Sequence, residues 1–286
     1  MVINTVFVTI IGRTNAGKSS MLNALIGEKI AAVTPKPQTT RTKITGILTK
    51  DDTQFVFIDT PGFHKATTKL GKSMLKSIND SLSGVDLVLY VFDVTRKIAL
   101  EDIVNITKPV ILILNKIDLI EKGKLLPIME EFAKLHNFKT ILPISVVCND
   151  GLADVLDECE KFAKETPLYF PREKFTDQSE NMLIAEIIRE KLMYALDDEV
   201  PHGVAVSVES AKEIKDVFHI DAIIYCERET HKGIIIGKNG QMLKTVCTKA
   251  RIDLETFFNI QVNLKCWVKV KENWRNNDGI LHNLGL

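Results

Sequence analysis

The sequence predicts an α/β protein, a doubly wound and mostly parallel sheet followed by a small α+β domain, and three observations lead to that prediction. From residue 5 to about residue 164, short apolar blocks alternate with helical stretches, the pattern of a parallel sheet covered on both faces. Residues 12–19 form a glycine-rich segment between the first apolar block and the first helical stretch, where doubly wound sheets place their ligands. Past residue 166 the alternation is broken by Pro167 and Pro171, which interrupt helix and strand alike, and a different pattern begins.

In chain order, the apolar blocks predict strands at 6–11, 44–48, 54–59, 87–93, 110–115 and 140–145. The periodic stretches between them predict helices at 18–26, 69–81, 125–135 and 152–163, with Gly151 supplying the turn before the last. Residues 1–166 are thus one domain and 167–176 a short stiff linker; the second domain occupies 177–286. That domain opens with a helix: Asp177 and Glu180 have capping-box spacing, and Met182, Ile184, Ile187, Ile188, Leu192 and Leu196 form an apolar stripe. Strands are expected at 204–208, 220–226 and 262–270 and helices at 232–236 and 241–257, with no internal repeat of the first domain.

Composition bounds the function classes. A chain of 286 residues can bury two cores, and 45% hydrophobic with 26% charged residues is the balance of an ordinary globular protein. Thirty-seven basic residues balance thirty-seven acidic ones, so nucleic-acid binding would need a local basic surface. Cys148, Cys159, Cys226, Cys247 and Cys266 form no CxxC pair, and their odd number argues against a disulfide framework and for a reducing, cytoplasmic compartment. The six histidines show no HxxxH or HExxH spacing, so no transition-metal site is expected. A strand begins by about Thr5, leaving no space for a signal peptide, and no apolar run approaches the roughly 20 residues of a membrane span. Any membrane contact is therefore expected to be peripheral, and the chain is expected to be a monomer.

Residues 12–19 read GRTNAGKS and meet the strand, loop and helix order of a phosphate-binding loop. Gly12 and Gly17 let the backbone N–H groups of Arg13, Thr14, Asn15 and Ala16 wrap phosphate oxygens at a helix N-terminus. Lys18 is then placed to neutralise the β and γ phosphates, and Ser19 to ligate magnesium. Asp59, Thr60, Pro61 and Gly62 (DTPG) end a strand in the same crevice, so that Asp59 can bind magnesium through a water and the Gly62 N–H can face the γ phosphate. Asn115, Lys116, Ile117 and Asp118 (NKID) close another strand, where Asp118 can accept from guanine N1–H and the exocyclic amine. ATP would leave that carboxylate unpaired, so the motif argues for GTP and GDP. The Lys116 stem can lie along the ring face, and the loop backbone after Ser145 can meet guanine O6.

Residues 34–42 (TPKPQTTRT) form a polar, proline-broken loop that reads as a mobile switch, with Thr40 as the hydroxyl that completes the magnesium shell and Thr39 as the alternative. A second switch is expected from Gly62 to about Leu70. Where many GTPases carry a glutamine after DxxG, this chain has Phe63, which cannot orient water, so a slow intrinsic rate is expected. Asn15 offers a carbonyl that could hold potassium against the phosphates or could simply cap the loop.

In the second domain Gly237, Lys238, Asn239 and Gly240 place GxxG between two apolar helical segments, a loop a nucleic-acid backbone can approach closely. From residue 228 to 251, Arg228, Lys232, Lys238, Lys244, Lys249 and Arg251 face one acid, Glu229, so a basic stretch lies where RNA would. The last strand alternates Val262, Leu264, Cys266, Val268 and Val270 with Asn263, Lys265, Trp267, Lys269 and Lys271, a polar face that reads as edge lysines blocking aggregation or as part of the basic surface.

Nearly the whole chain resembles the bacterial Era GTPases, which join an Era-type G domain to a type II KH domain. The resemblance is carried by GRTNAGKS, PKPQTTRTKITGI, IDTPGFHK, NKIDLI, AEIIREKL followed by DEVPH, IIGKNGQMLKT with KARIDLE, and CWVKVKENW. It implies a P-loop GTPase fold, magnesium-dependent GTP hydrolysis, and binding of the 3′ region of small-subunit ribosomal RNA through the KH domain. It also implies a role in assembling the small ribosomal subunit and peripheral association with the inner membrane. By position the RNA groove falls around Gly237, Lys238, Asn239 and Gly240, with Lys232, Lys244 and Arg251 beside it. Thr14, Ala16 and Val146 depart from the residues more usual in the family, and the segment between Glu209 and His219 is short.

Overall fold

The computed structural model describes residues 2–63, 68–98 and 106–286, which form two compact units. The second switch expected from Gly62 to Leu70 falls partly on residues 64–67, outside the described residues.

The first unit carries β1 (Val2–Ile11), α1 (Lys18–Ile26), β2 (Ile44–Lys50), β3 (Thr53–Asp59), α2 (Lys69–Ser81), β4 (Leu87–Asp93), β5 (Val110–Asn115), α3 (Lys122–Leu135), β6 (Thr140–Ile144), α4 (Leu152–Glu160) and β7 (Lys164–Pro167). The first turn of α2 clusters instead with the second unit. The sheet order is β2-β3-β1-β4-β5-β6; β1 pairs parallel with β3 and β4, β4 with β5, and β5 with β6, while β2 runs antiparallel to β3. Every residue of β4 and β5 is buried, as strands covered on both faces must be, which is why their ends could be read from hydrophobicity alone. Val88, Tyr90, Leu112 and Leu114 pack on one face with Phe132 of α3 and Ile78 of α2. Among the described residues no helix is long and apolar enough to cross a membrane.

One sequence-based expectation for this unit needs correction. The helix expected over 152–163 stops at Glu160, because the chain turns into β7, which pairs antiparallel with the start of β1 from Val2↔Pro167 to Thr5↔Lys164. Strand β7 is mostly exposed, so it carries no apolar pattern to read, and its proline sits at the strand's end, where a missing N–H is tolerated. Residues 167–176, expected as a short stiff linker, are tied to β2 and β3. Ile47 N–H donates to the Phe175 carbonyl at 2.8 Å, Gln54 exchanges hydrogen bonds with Phe170 N and O at 3.1 and 3.0 Å, and Thr176 Oγ1 donates to the Thr45 carbonyl at 2.7 Å. The segment satisfies the outer edge of β2, a pairing with an irregular partner that no periodicity reveals.

The second unit comprises residues 178–286 together with 32–39 and 68–73. Its elements are α5 (Glu180–Ala195), β8 (Ala205–Ile214), β9 (Val217–Cys226), α6 (Glu229–Ile236), α7 (Gln241–Phe258), β10 (Gln261–Val270) and α8 (Asp278–Asn283). In the three-stranded sheet β10-β9-β8, β9 is antiparallel to β8 and parallel to β10. Ile184, Ile188 and Leu192 of α5 meet Val246, Ala250 and Leu254 of α7 over Ile220, Ile224 and Val262. The cap of α5 is Ser179, whose hydroxyl accepts from Met182 N–H at 3.4 Å, and not Asp177. The helix starts too late for an Asp177 box because Thr176 is still bridged to Gly46. Strands β8 and β9 run longer than expected and meet at Lys215–Asp216, both at positive φ (51° and 59°), the backbone of a tight two-residue hairpin. Neither residue is glycine, so the turn gave no signal. Within this unit residues 32–39 are anchored by α5: the buried Arg189 donates to the Thr39 carbonyl, and Glu190 accepts from Val33 N–H at 3.4 Å.

Candidate functional site

The phosphate-loop residues lie between β1 and α1, in a backbone that glycine permits. A Cβ on Gly12, at φ +145°, would stand 2.3 Å from the Val91 carbonyl oxygen, so the loop hugs β4 too closely for any side chain. Lys18 is buried and its Nζ donates to the carbonyls of Gly12 (3.2 Å) and Arg13 (3.0 Å), which fixes the ammonium inside the loop. Ala16 N–H closes a turn onto the Arg13 carbonyl at 3.4 Å, and Asn15 takes a left-handed φ of 63°. Gly62 lies against Thr14, where a Cβ would come within 2.8 Å of its backbone, and Phe63 bridges to Arg13. Thr60 is buried and its hydroxyl donates to the Ile10 carbonyl at 2.8 Å, tying residues 59–62, with Pro61 also buried, to the end of β1.

Three oxygens converge beside this loop. Ser19 Oγ donates to Asp59 Oδ2 at 2.6 Å and lies 2.7 Å from Thr40 Oγ1, which in turn is 3.4 Å from the same carboxylate oxygen. Asp59 is wholly buried, and its Oδ1 has no hydrogen-bond partner among the described residues. A buried carboxylate oxygen left unpaired beside two hydroxyls is a hard, anionic oxygen set, and it fits a magnesium ion. Burial pushes the Asp59 carboxyl up and the Lys18 ammonium down, with their mutual attraction opposing both shifts. A polyanion beside Lys18 and a divalent cation beside Asp59 would each favour the charged form. Of the two threonines considered, only Thr40 reaches this cluster; the Thr39 hydroxyl instead donates to the Lys36 carbonyl at 2.8 Å and lies 2.7 Å from Thr34 Oγ1.

Residues 115–118 sit at the carboxyl end of β5. Asn115 Nδ2 donates to the Ala16 carbonyl at 2.9 Å, so this loop is latched to the phosphate loop, while Asn115 Oδ1 accepts from Lys116 N–H (2.8 Å) and Val146 N–H (3.4 Å). Asp118, on the turn Ile117–Leu119, has an exposed carboxylate whose Oδ1 accepts from the Ser145 hydroxyl at 2.6 Å. Ser145 Oγ also accepts from Cys148 N–H at 3.2 Å. Sequence reasoning looked only to the backbone beyond Ser145 and missed its side chain, which aims the acid. A cleft of about 320 Å³ opens beside Asp118 and Ser145, lined also by Ile117, Ile120, Leu125 and Cys148. A second omission is Asp93, which binds the Lys116 ammonium at 2.6 Å; an acid ending an otherwise apolar strand at the ligand side of the sheet was the available signal.

In the second unit Gly237 (φ 72°), Asn239 (φ 53°) and Gly240 (φ 75°) build the turn between α6 and α7, with Lys238 and Asn239 exposed at its tip. A Cβ on Gly237 would stand 2.6 Å from Met242 Cβ. Lys244 projects from α7 into solvent, and Lys232 of α6 is half-buried beside Glu229 at 3.8 Å. Arg251 is not a free cation: its Nη1 donates to both Glu255 oxygens at 2.8 and 2.9 Å.

Residues 7–116 match a family model described as 50S ribosome-binding GTPase, and residues 199–275 match a KH domain. GTPase Era of Ruminiclostridium cellulolyticum is 46% identical over 286 residues, 98% of this chain and 96% of that protein. GTPase Era of Caldanaerobacter subterraneus subsp. tengcongensis is 47% identical over 287 residues, again 98% and 96%. The chain belongs to the GTPase Era family. As an Era GTPase it hydrolyses GTP, on a P-loop GTPase fold followed by a KH domain. Two Era crystal structures superpose with a TM-score of 0.95 at 34% identity over 99% of both chains: an Aquifex aeolicus variant bound to GDP·AlF4−, and Era in complex with MgGDPNP and nucleotides 1506–1542 of 16S ribosomal RNA. The Era resemblance read from the motifs thus holds over both units.

Proposed function

We propose that this Era GTPase is a magnesium-dependent molecular switch that binds the 3′ region of small-subunit ribosomal RNA and acts in assembly of the small subunit. The converging oxygens of Ser19, Thr40 and Asp59 carry the switch reading, because they join the phosphate loop, the 34–42 segment and the DTPG turn in one cluster. In this reading the backbone of residues 12–17 cradles the phosphates and Lys18 neutralises the β and γ oxygens. Ser19, Thr40 and Asp59 would hold magnesium, and the ion would offset negative charge on the phosphates. The γ-phosphate contact falls to the Gly62 N–H, and Asp118, aimed by Ser145, takes the guanine edge. Water then adds to the γ phosphorus as the bond to the bridging oxygen breaks, giving GDP and phosphate. Phe63 offers that water no hydrogen-bonding side chain, which makes intrinsic turnover slow. Asn15, held left-handed in the loop, is the residue through which potassium would add charge stabilisation; turnover in potassium and sodium buffers, with Asn15→Ala as control, tests this, and equal rates would end it.

The RNA reading is supported by the turn at Gly237, Lys238, Asn239 and Gly240 with the cations Lys232 and Lys244, while Arg251 is held by Glu255, and by the related Era bound to nucleotides 1506–1542. Binding of an RNA of that sequence, compared between the wild type and Lys238→Glu with Lys244→Glu, tests it. A loss of at least tenfold in the variant is expected, since reversed charges repel phosphates. Undiminished binding would remove the GxxG loop from the interface.

A further inference from the structure

Asp93 is a buried carboxylate that none of the roles above uses. It ends β4, is 4% exposed, and accepts three hydrogen bonds beside one longer ion pair. Its Oδ1 accepts from Thr95 N–H (3.0 Å) and Thr95 Oγ1 (2.6 Å), while its Oδ2 takes the Lys116 ammonium at 2.6 Å and lies 3.7 Å from Arg96 Nε.

We propose that Asp93 is a positioning residue for nucleotide binding, holding the Lys116 side chain, and with it the base-recognition loop, in the geometry the guanine ring meets. The inference rests on the reading of residues 115–118 as the base loop. Strands β4 and β5 put the two residues together: Asp93 and Asn115 are paired in register, and Val94 N–H donates to the Asn115 carbonyl at 3.1 Å. Lys116 itself takes a φ of 70°, a conformation disfavoured for a residue with a side chain. Such a conformation persists where its surroundings over-determine it. Here the Asn115 carboxamide holds the Lys116 N–H, and Asp93 holds the far end of the same residue.

The physical benefit is preorganisation. A lysine free in solvent must lose rotamer freedom when its stem is laid against a ring. One pinned at its ammonium has already lost it, so more of the contact appears as affinity. Burial works against the Asp93 carboxylate, yet the Lys116 ammonium and the Thr95 donors together hold its carboxyl below the usual range, so the anchor stays charged at neutral pH.

A double-mutant cycle on the full-length chain tests this, with GDP binding measured by calorimetry for Asp93→Asn, Lys116→Met and the pair. Asp93→Asn keeps the size and the Thr95 acceptor but removes the charge. It is expected to weaken GDP by about tenfold alone and by less than about twofold in the Lys116→Met background. A purely structural role would lower both backgrounds alike, and that result, or a single variant that binds GDP as the wild type does, would overturn the proposal. If Lys116→Met itself leaves GDP affinity unchanged, the reading of Lys116 as a base contact fails first, and Asp93 falls with it. Should Asp93→Asn not fold, Thr95→Val loosens the same carboxylate. A loss of about threefold that vanishes with Lys116→Met is then expected, and an additive loss would again refute it.

Discussion

At the scale of single residues, the proposed selectivity for guanine rests on Asp118, an exposed carboxylate bonded by the Ser145 hydroxyl. Replacing Asp118 by asparagine turns an acceptor toward guanine into a donor. Asp118→Asn should therefore weaken GDP by roughly 100-fold, about 3 kcal/mol, as seen by calorimetry. Xanthine offers an acceptor at the same ring position, so xanthosine diphosphate should become the better ligand; unchanged GDP affinity would remove Asp118 from the site. Thiol chemistry gives a second check. Cys148 is exposed beside this site, whereas Cys159 and Cys226 are buried and burial raises both thiols. Limited alkylation followed by mass spectrometry should find Cys148 labelled first, more slowly with GDP bound, and Cys159 untouched. The pH dependence follows from Asp93. With its folded carboxyl held below the unfolded range of about 3.9, its contribution is full above that range and lost only as pH falls through the depressed value. Wild type and Asp93→Asn should thus share one shape of GDP-affinity profile between about pH 5.5 and 8, and a step in that window that Asp93→Asn abolishes would contradict the arrangement.

At the scale of elements, what could be read in advance divides along physical lines. Strands β4 and β5 and helix α1 were legible because burial writes itself as hydrophobicity and the phosphate loop writes itself as glycine. Strand β7 is polar, the 167–176 segment pairs with β2 irregularly, and the hairpin at Lys215–Asp216 uses positive φ without glycine, so none of the three left a pattern. In the candidate site, residues of a single loop can be named from its motif, but partners brought in by the sheet cannot: Asp93 lies 23 positions from Lys116, and Ser145 lies 27 from Asp118. Element ends also carry measurable consequences. Ser179→Ala removes the cap of α5 and should cost about 1 kcal/mol, read as a lower denaturant midpoint with GDP affinity unchanged. Gly237→Ala places a Cβ 2.6 Å from Met242 Cβ at a φ of 72°, so the start of α7 must shift. RNA affinity should fall at least tenfold while GTP hydrolysis without RNA stays the same, and intact RNA binding would show that the turn tolerates the shift.

The whole molecule joins a GTP-hydrolysing unit and a KH unit in one chain, and thermodynamics then makes any coupling between nucleotide and RNA reciprocal. If the γ phosphate raises RNA affinity by some factor, RNA raises affinity for the triphosphate over the diphosphate by that same factor. Net charge is zero, so this coupling cannot come from a general attraction of the chain to polyanions and must act through the local sites. The most direct test is the affinity for an RNA with the sequence of 16S nucleotides 1506–1542, measured with magnesium and either GDPNP or GDP. Binding at least about tenfold tighter with GDPNP is expected, a coupling of about 1.4 kcal/mol, and equal affinity in the two nucleotide states would contradict the proposed switch.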